Sequence, residues 1–130
     1  MSKDRFTIGL VGVCGSGKTT LTKKLEPYNF NVRQIAQEHS YVPNMWQRVS
    51  NPEVLIFLEA SYATTLKRKP FHWKEQEYQE QLHRLRHARE HADLMVTTDT
   101  LTPEEVLAAV LDFLGEQLVI QQRNKLPEDQ

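Results

Sequence analysis

Eight residues, Gly12-Val13-Cys14-Gly15-Ser16-Gly17-Lys18-Thr19, constrain this chain more than any other stretch. Glycine, four residues, glycine, lysine and threonine make a loop that turns tightly and shows successive backbone N–H groups to one point. Glycine permits the backbone angles that this requires. A helix opening at Lys18 directs its partly positive end at the same point. The construction suits a chain of phosphates, with Lys18 reaching the β- and γ-phosphates and the Thr19 hydroxyl on Mg2+. Thr20 extends the cradle by one residue. Cys14 and Ser16 occupy tolerant positions, and Cys14 is assigned no redox role.

Such a loop works only between a strand and a helix, and both are legible. Residues 6–11 are mostly apolar with β-branched members and predict a buried strand. Residues 18–25 predict a helix with Leu21, Leu25 and Tyr28 along one face, stopped by Pro27. Further strands are expected over 31–36, 54–58 and 94–97. The second of these is apolar throughout, as a parallel strand covered on both faces is. Between 37 and 52 the chain is polar, with Pro43 expected at the first position of a short helix through Trp46 and Val49.

Ser61 is placed to cap a helix over 62–67, with Pro70 breaking it. Residues 74–91 predict one long charged helix with Tyr78, Leu82 and Leu85 inward. Thr102-Pro103-Glu104-Glu105 has the pattern of a capping box. The last helix is expected to bury Val106, Leu107, Val110, Leu111 and Leu114, and Gly115 marks its expected end. Strands alternating with helices predict a three-layer α/β sandwich with a parallel sheet of four to five strands. Residues 1–120 are expected to form a single domain and 121–130 a polar tail that frays.

Composition narrows the partners. Sixteen basic residues stand against seventeen acidic ones, a net charge of −1, so no nucleic-acid or membrane partner is implied. No basic stripe with interleaved aromatics appears outside 67–73. There is no apolar run of membrane-spanning length, no signal-peptide pattern and one cysteine, which together point to the cytoplasm. A homodimer stays open.

Three stretches resemble the small P-loop kinases, in particular the branch with thymidylate kinase and the deoxynucleoside kinases. The first is the phosphate loop. The second is Asn51-Pro52-Glu53 with the apolar strand and Glu59-Ala60-Ser61 after it, similar to the stretch preceding the lid in those kinases. The third runs from Ala92-Asp93 through Thr98-Asp99 to Leu101-Thr102-Pro103-Glu104-Glu105-Val106, similar to their last strand and helix. The resemblance implies a P-loop NTPase fold that binds ATP and Mg2+ and transfers the γ-phosphoryl group to a nucleoside, nucleotide or other small metabolite. No segment between the second strand and Asn51 carries the further Asp-Arg or Glu-Arg strand of those kinases. A nucleotide-binding module or slow NTPase acting through a partner protein is therefore the alternative. No guanine-specific Asn/Thr-Lys-x-Asp pattern is present, which favours adenine.

The same resemblance gives Glu38, just beyond the second strand, the role of base toward the acceptor hydroxyl or of a water-mediated Mg2+ contact. The end of a parallel strand is where ligands collect. The plainer reading is a solvated loop glutamate. Lys67, Arg68 and Lys69 occupy the lid position, and Arg68 is the candidate for neutralising charge on the transferring group; a solvated basic turn is the alternative. His39, Trp46 and Arg48 are candidates for the acceptor side. Trp46 fits a core position equally well, and a lone His39 is more ordinary as a loop residue. Of the arginines on the charged helix, only a pair such as Arg86 and Arg89 shares a side. Glu59 is a secondary acidic candidate, and Thr98 and Asp99 lie where related kinases hold the base.

Overall fold

The computed structural model describes residues 6–68 and 72–125, the last helix beyond 117 by its backbone alone. Strand β1 (Phe6–Gly12) lies between β2 (Phe30–Gln34) and β3 (Val54–Glu59), and β4 (Leu94–Thr97) pairs with β3. All pairings are parallel and the order is β2-β1-β3-β4. After β1 the chain moves to one side to form β2, then crosses to the other side for β3. That reversal opens a crevice at the carboxyl end of β1, where the phosphate loop begins.

Alternation along the strands builds two cores. Ile8, Leu10, Val54, Ile56 and Leu58 face Leu21 and Leu25 of α1 (Lys18–Leu25) and Val106, Val110 and Leu114 of α6 (Pro103–Lys125). Val11, Leu55 and Phe57 face the other way. They meet Trp46 of α2 (Met45–Val49), Tyr78 of α4 (Glu75–Arg84) and Ala88 of α5 (Arg86–His91). Burial on both faces is why the strand sequences are nearly continuous in apolar residues. The result is the expected three-layer α/β architecture with four strands. Among the described residues no helix is long and apolar enough to cross a membrane.

Several local expectations change. Tyr28 lies beyond the end of α1 and is 42% exposed, because the helix stops at Leu25 before another turn can carry it inward. The ladder of β2 starts and ends earlier than 31–36, and Ile35 leaves it to become buried. Pro43 precedes α2 by two residues rather than opening it. The segment 74–91 is two helices, broken at Leu85. The Leu85 N–H is shared between the Gln81 and Leu82 carbonyls, a tightened final turn, and its side chain is fully buried. Breaking there lets α4 and α5 each approach the sheet. Helix α3 (Tyr62–Arg68) is capped as expected, the Thr64 N–H donating to Ser61 Oγ at 3.2 Å. Pro70 lies outside the described residues.

Helix α6 passes through Gly115 and runs to Lys125. Burial of Val106, Val110 and Leu114 on the sheet outweighs the roughly 0.5–1 kcal/mol that an interior glycine costs. Its start is a reciprocal capping box: the Thr102 N–H donates to Glu105 Oε1 at 2.8 Å and the Glu105 N–H to Thr102 Oγ1 at 3.1 Å. Thr102→Ala is expected to lower stability by about 1 kcal/mol in a denaturant titration. An unchanged midpoint would show that burial alone holds the helix start.

Candidate functional site

Strand β1 delivers the chain into the loop at Gly12, and α1 takes it out at Gly17. A Cβ on Gly12 would lie 2.4 Å from the Leu58 carbonyl oxygen and 2.6 Å from Ser16 Oγ, so no larger residue fits between the loop and β3. Gly17 is left-handed, with φ 108°, and a Cβ there would meet nothing within 4 Å. The first glycine serves close packing and the third serves backbone conformation.

Within the loop the Ser16 N–H turns back to the Val13 carbonyl at 3.0 Å. Leu21 supplies the first helical N–H with a backbone acceptor behind it, Gly17 O at 3.0 Å. Among the described residues the N–H groups of Lys18, Thr19 and Thr20 make no such bond. They are the unsatisfied donors at a helix start, and they face a cleft of about 710 Å³. The loop residues from Val13 to Thr20 line this cleft together with Gln34, Glu38, Arg68 and Thr98. Leu101, just before α6, and Pro103 and Val106 in its first turn give it an apolar wall.

Lys18 and Glu38 form the ionic centre. Lys18 Nζ lies 3.0 Å from Glu38 Oε2 and also donates to the Gly12 carbonyl. The two side chains are only 12% and 6% exposed. Glu38 Oε1 is buried without a hydrogen-bond partner. Glu38 comes from a single 3-10 turn, Gln37–His39, directly after β2. Buried Gln37 holds that turn, donating to the Val42 and Arg84 carbonyls and accepting the Trp46 backbone N–H at 2.8 Å. His39 is beside it on the exposed side, its Nε2 3.7 Å from both Glu38 Oε2 and Cys14 Sγ. The Thr19 hydroxyl donates to Gln34 Oε1 at 3.2 Å.

Arg68, in the last turn of α3, reaches the cleft, but not as a free lid. Its guanidinium donates to the Gly15 carbonyl at 3.1 Å, to Thr98 Oγ1 at 2.9 Å and to the Thr98 carbonyl at 2.6 Å. It braces the loop while leaving its charge at the cradle. Thr98 is buried and donates to the Ser16 carbonyl at 3.0 Å, so the end of β4 is tied to the loop. Asp99 turns away to accept the Ser61 N–H at 2.9 Å, and that bond holds its carboxyl below the usual range.

The other candidates are not brought here. Trp46 is 5% exposed in the second core, its Nε1 donating to His87 Nδ1 at 3.1 Å. The apolar face of the sheet needs that ring, and the polar turn above it is held by its backbone. Arg48 is exposed and does not line the cleft, nor does exposed Lys67. Arg86 donates to the His83 carbonyl, closing the break between α4 and α5. Arg89 pairs with Glu59 at 3.0 Å, and Glu59 also accepts from Thr97, so both are structural at the sheet end. Lys69 lies outside the described residues. Gln34, Leu101, Pro103 and Val106 line the cleft without being expected there as site residues. The position of Gln34 at a strand's carboxyl end was the one available signal for it. The three apolar residues read as ordinary helix-start and core residues.

No protein-family model matches the sequence, and no curated protein is similar to it. Among solved structures, the fold is similar to that of a shikimate kinase from Acinetobacter baumannii in complex with shikimate. The TM-score is 0.59 and the identity 15%, over 98% of this chain and 100% of that one. At that identity the likeness concerns architecture alone. By fold the chain is an α/β domain of the same architecture as that structure, with its glycine-rich loop at the crevice where parallel sheets collect ligands.

Proposed function

We propose that the chain binds Mg-ATP in this cleft and transfers its γ-phosphoryl group to the hydroxyl of a small molecule. The observation that carries the proposal is the Lys18–Glu38 pair: a nearly buried carboxylate 3.0 Å from the loop lysine, with one oxygen unpartnered. A lysine placed there serves the β- and γ-phosphates, and a carboxylate beside it accepts a proton next to the transferring group. The donors at the start of α1 hold the phosphates, and Leu101, Pro103 and Val106 offer an apolar surface to the base.

The oxygens of Thr19 and Glu38 fit Mg2+, which takes hard oxygen ligands. When bound, Mg2+ neutralises charge on the phosphates. The chain's own residues do the rest. Lys18 follows the charge of the departing phosphates. Glu38 takes the proton from the acceptor oxygen as that oxygen bonds to the γ-phosphorus and the bond to the bridging oxygen breaks. Arg68 keeps the loop in place and adds positive charge at its rim.

The sequence resemblance points to nucleoside or nucleotide acceptors, and the structural neighbour was solved with shikimate. All offer a hydroxyl. An assay of ATP consumption with nucleosides, nucleoside monophosphates, shikimate and other hydroxylated acids should reveal acceptor-dependent turnover. Glu38→Gln should then lower kcat by about 10²–10⁴-fold. One observation favours a second reading, a nucleotide-responsive module acting through a partner protein. Trp46, Arg48, Arg86 and Arg89 are all engaged or directed elsewhere, which leaves few side chains for an acceptor. ATP binding without turnover on any acceptor would give that reading the site.

A further inference from the structure

The mechanism above uses Glu38 but neither of its neighbours, Cys14 and His39. The thiol, the imidazole and the carboxylate come from the phosphate loop and from the 3-10 turn, and their ligand atoms all lie within 4.8 Å of one another. We propose that Cys14, Glu38 and His39 form a binding site for a borderline-soft divalent cation such as Zn2+, which shares Glu38 with the Mg2+ site but adds a thiol and an imidazole in place of Thr19.

The spacing supports it. With Zn–S of about 2.3 Å and Zn–N or Zn–O of about 2.0–2.2 Å, tetrahedral geometry separates sulfur from nitrogen by about 3.6 Å and nitrogen from oxygen by about 3.4 Å. Here Cys14 Sγ and His39 Nε2 are 3.7 Å apart, and His39 Nε2 and Glu38 Oε2 are also 3.7 Å apart. These two edges need to shrink by only a few tenths of an ångström, and the third, between Cys14 and Glu38, lies within 4.8 Å.

A second observation is independent of spacing. Glu38 is 4% exposed and its Oε1 is buried without a hydrogen-bond partner, an acceptor that ordinary packing leaves costly. The oxygen 3.7 Å from His39 is Oε2, which also holds Lys18; rotation of the carboxylate lets the unpartnered Oε1 serve one cation while Oε2 serves the other. The thiol is oriented from outside: buried Gln81 accepts the Cys14 N–H at 3.0 Å and its amide nitrogen donates toward Cys14 Sγ at 3.3 Å. Outer partners of this kind hold a ligand in place. The His39 side chain is 58% exposed, which gives the ion a route in and leaves a coordination position for water or a phosphate oxygen. One thiolate and one imidazole select Zn2+ or Co2+ over Mg2+. Binding releases the thiol proton.

Cobalt makes the site visible. Titration of the full-length chain with Co2+, without nucleotide, should give one equivalent of binding with thiolate-to-cobalt absorption and tetrahedral d–d bands. A large excess of Mg2+ should leave the spectrum unchanged. Cys14→Ser should abolish the charge-transfer band. His39→Ala, at an exposed position where the fold is not at stake, should weaken binding by about a hundredfold or more, beyond the loss of an outer partner. Absence of a thiolate band in the wild type would overturn the proposal, as would equal Co2+ affinity in His39→Ala. Because no nucleotide or acceptor enters the measurement, its failure is distinguishable from failure of the phosphotransfer reading, which shares Glu38.

Discussion

Lys18→Met is expected to weaken ATP binding by about tenfold to a hundredfold, the worth of a hydrogen bond to a charged group. It should also destabilise the fold. The second effect comes from Glu38. Its carboxylate is 6% exposed, and Lys18 is the cation that compensates it. Removing one partner of a buried ion pair costs about 3–5 kcal/mol, because the remaining charge stays desolvated. The lower end applies here, since Lys18 keeps 12% of its surface. Glu38→Gln removes the stranded charge. The double variant Lys18→Met/Glu38→Gln should therefore recover most of the stability while its ATP affinity stays low. Denaturant unfolding and calorimetric titration of the single and double variants separate the two effects. If the double variant is no more stable than Lys18→Met, the pair is not a charge-compensated unit. If Lys18→Met binds ATP as the wild type does, the cleft is not the triphosphate site.

Trp46→Ala is the counterpart: a large loss of stability with little change in ATP affinity. The ring packs in the second core, tilted against His87 and His91 with centroids 5.9 and 6.1 Å away. Truncating a buried tryptophan costs about 3–5 kcal/mol. For a domain of this length that corresponds to a fall in Tm of roughly 10–20 °C. The backbone N–H of residue 46, which holds Gln37 and through it the Glu38 turn, survives the change. ATP affinity measured well below the transition should therefore stay within a few fold. Trp46→Phe should recover part of the loss. Unchanged Tm together with a weakened ligand would instead place the ring in a binding site.

These two residues mark what local sequence carries and where it stops. Lys18 belongs to a contiguous pattern, so its place beside the Gly12 carbonyl follows from its position in the chain. Glu38 was legible for a related reason: it follows a strand directly, and the carboxyl ends of parallel strands converge. Trp46 offered no such rule. A tryptophan in a polar segment fits a ligand or a core equally well until the opposing surface is known, and that surface is built from α4, α5 and β3, far away in sequence. Arg89 failed in the same way, because its partner Glu59 lies thirty positions earlier.

A parallel α/β sheet of four to five strands and the glycine-rich loop between a strand and a helix are legible in the sequence, because these depend on local periodicity and on contiguous backbone chemistry, whereas the break at Leu85 is not. Which charges meet depends on how the elements pack. Packing pairs Lys18 with Glu38, ties Arg68 to the loop carbonyls and Thr98, and sets Cys14 against His39. Those contacts depend on how strands of different registers end at one crevice, and an ion pair or a ligand set is a matter of a few ångströms that spacing along the chain does not encode.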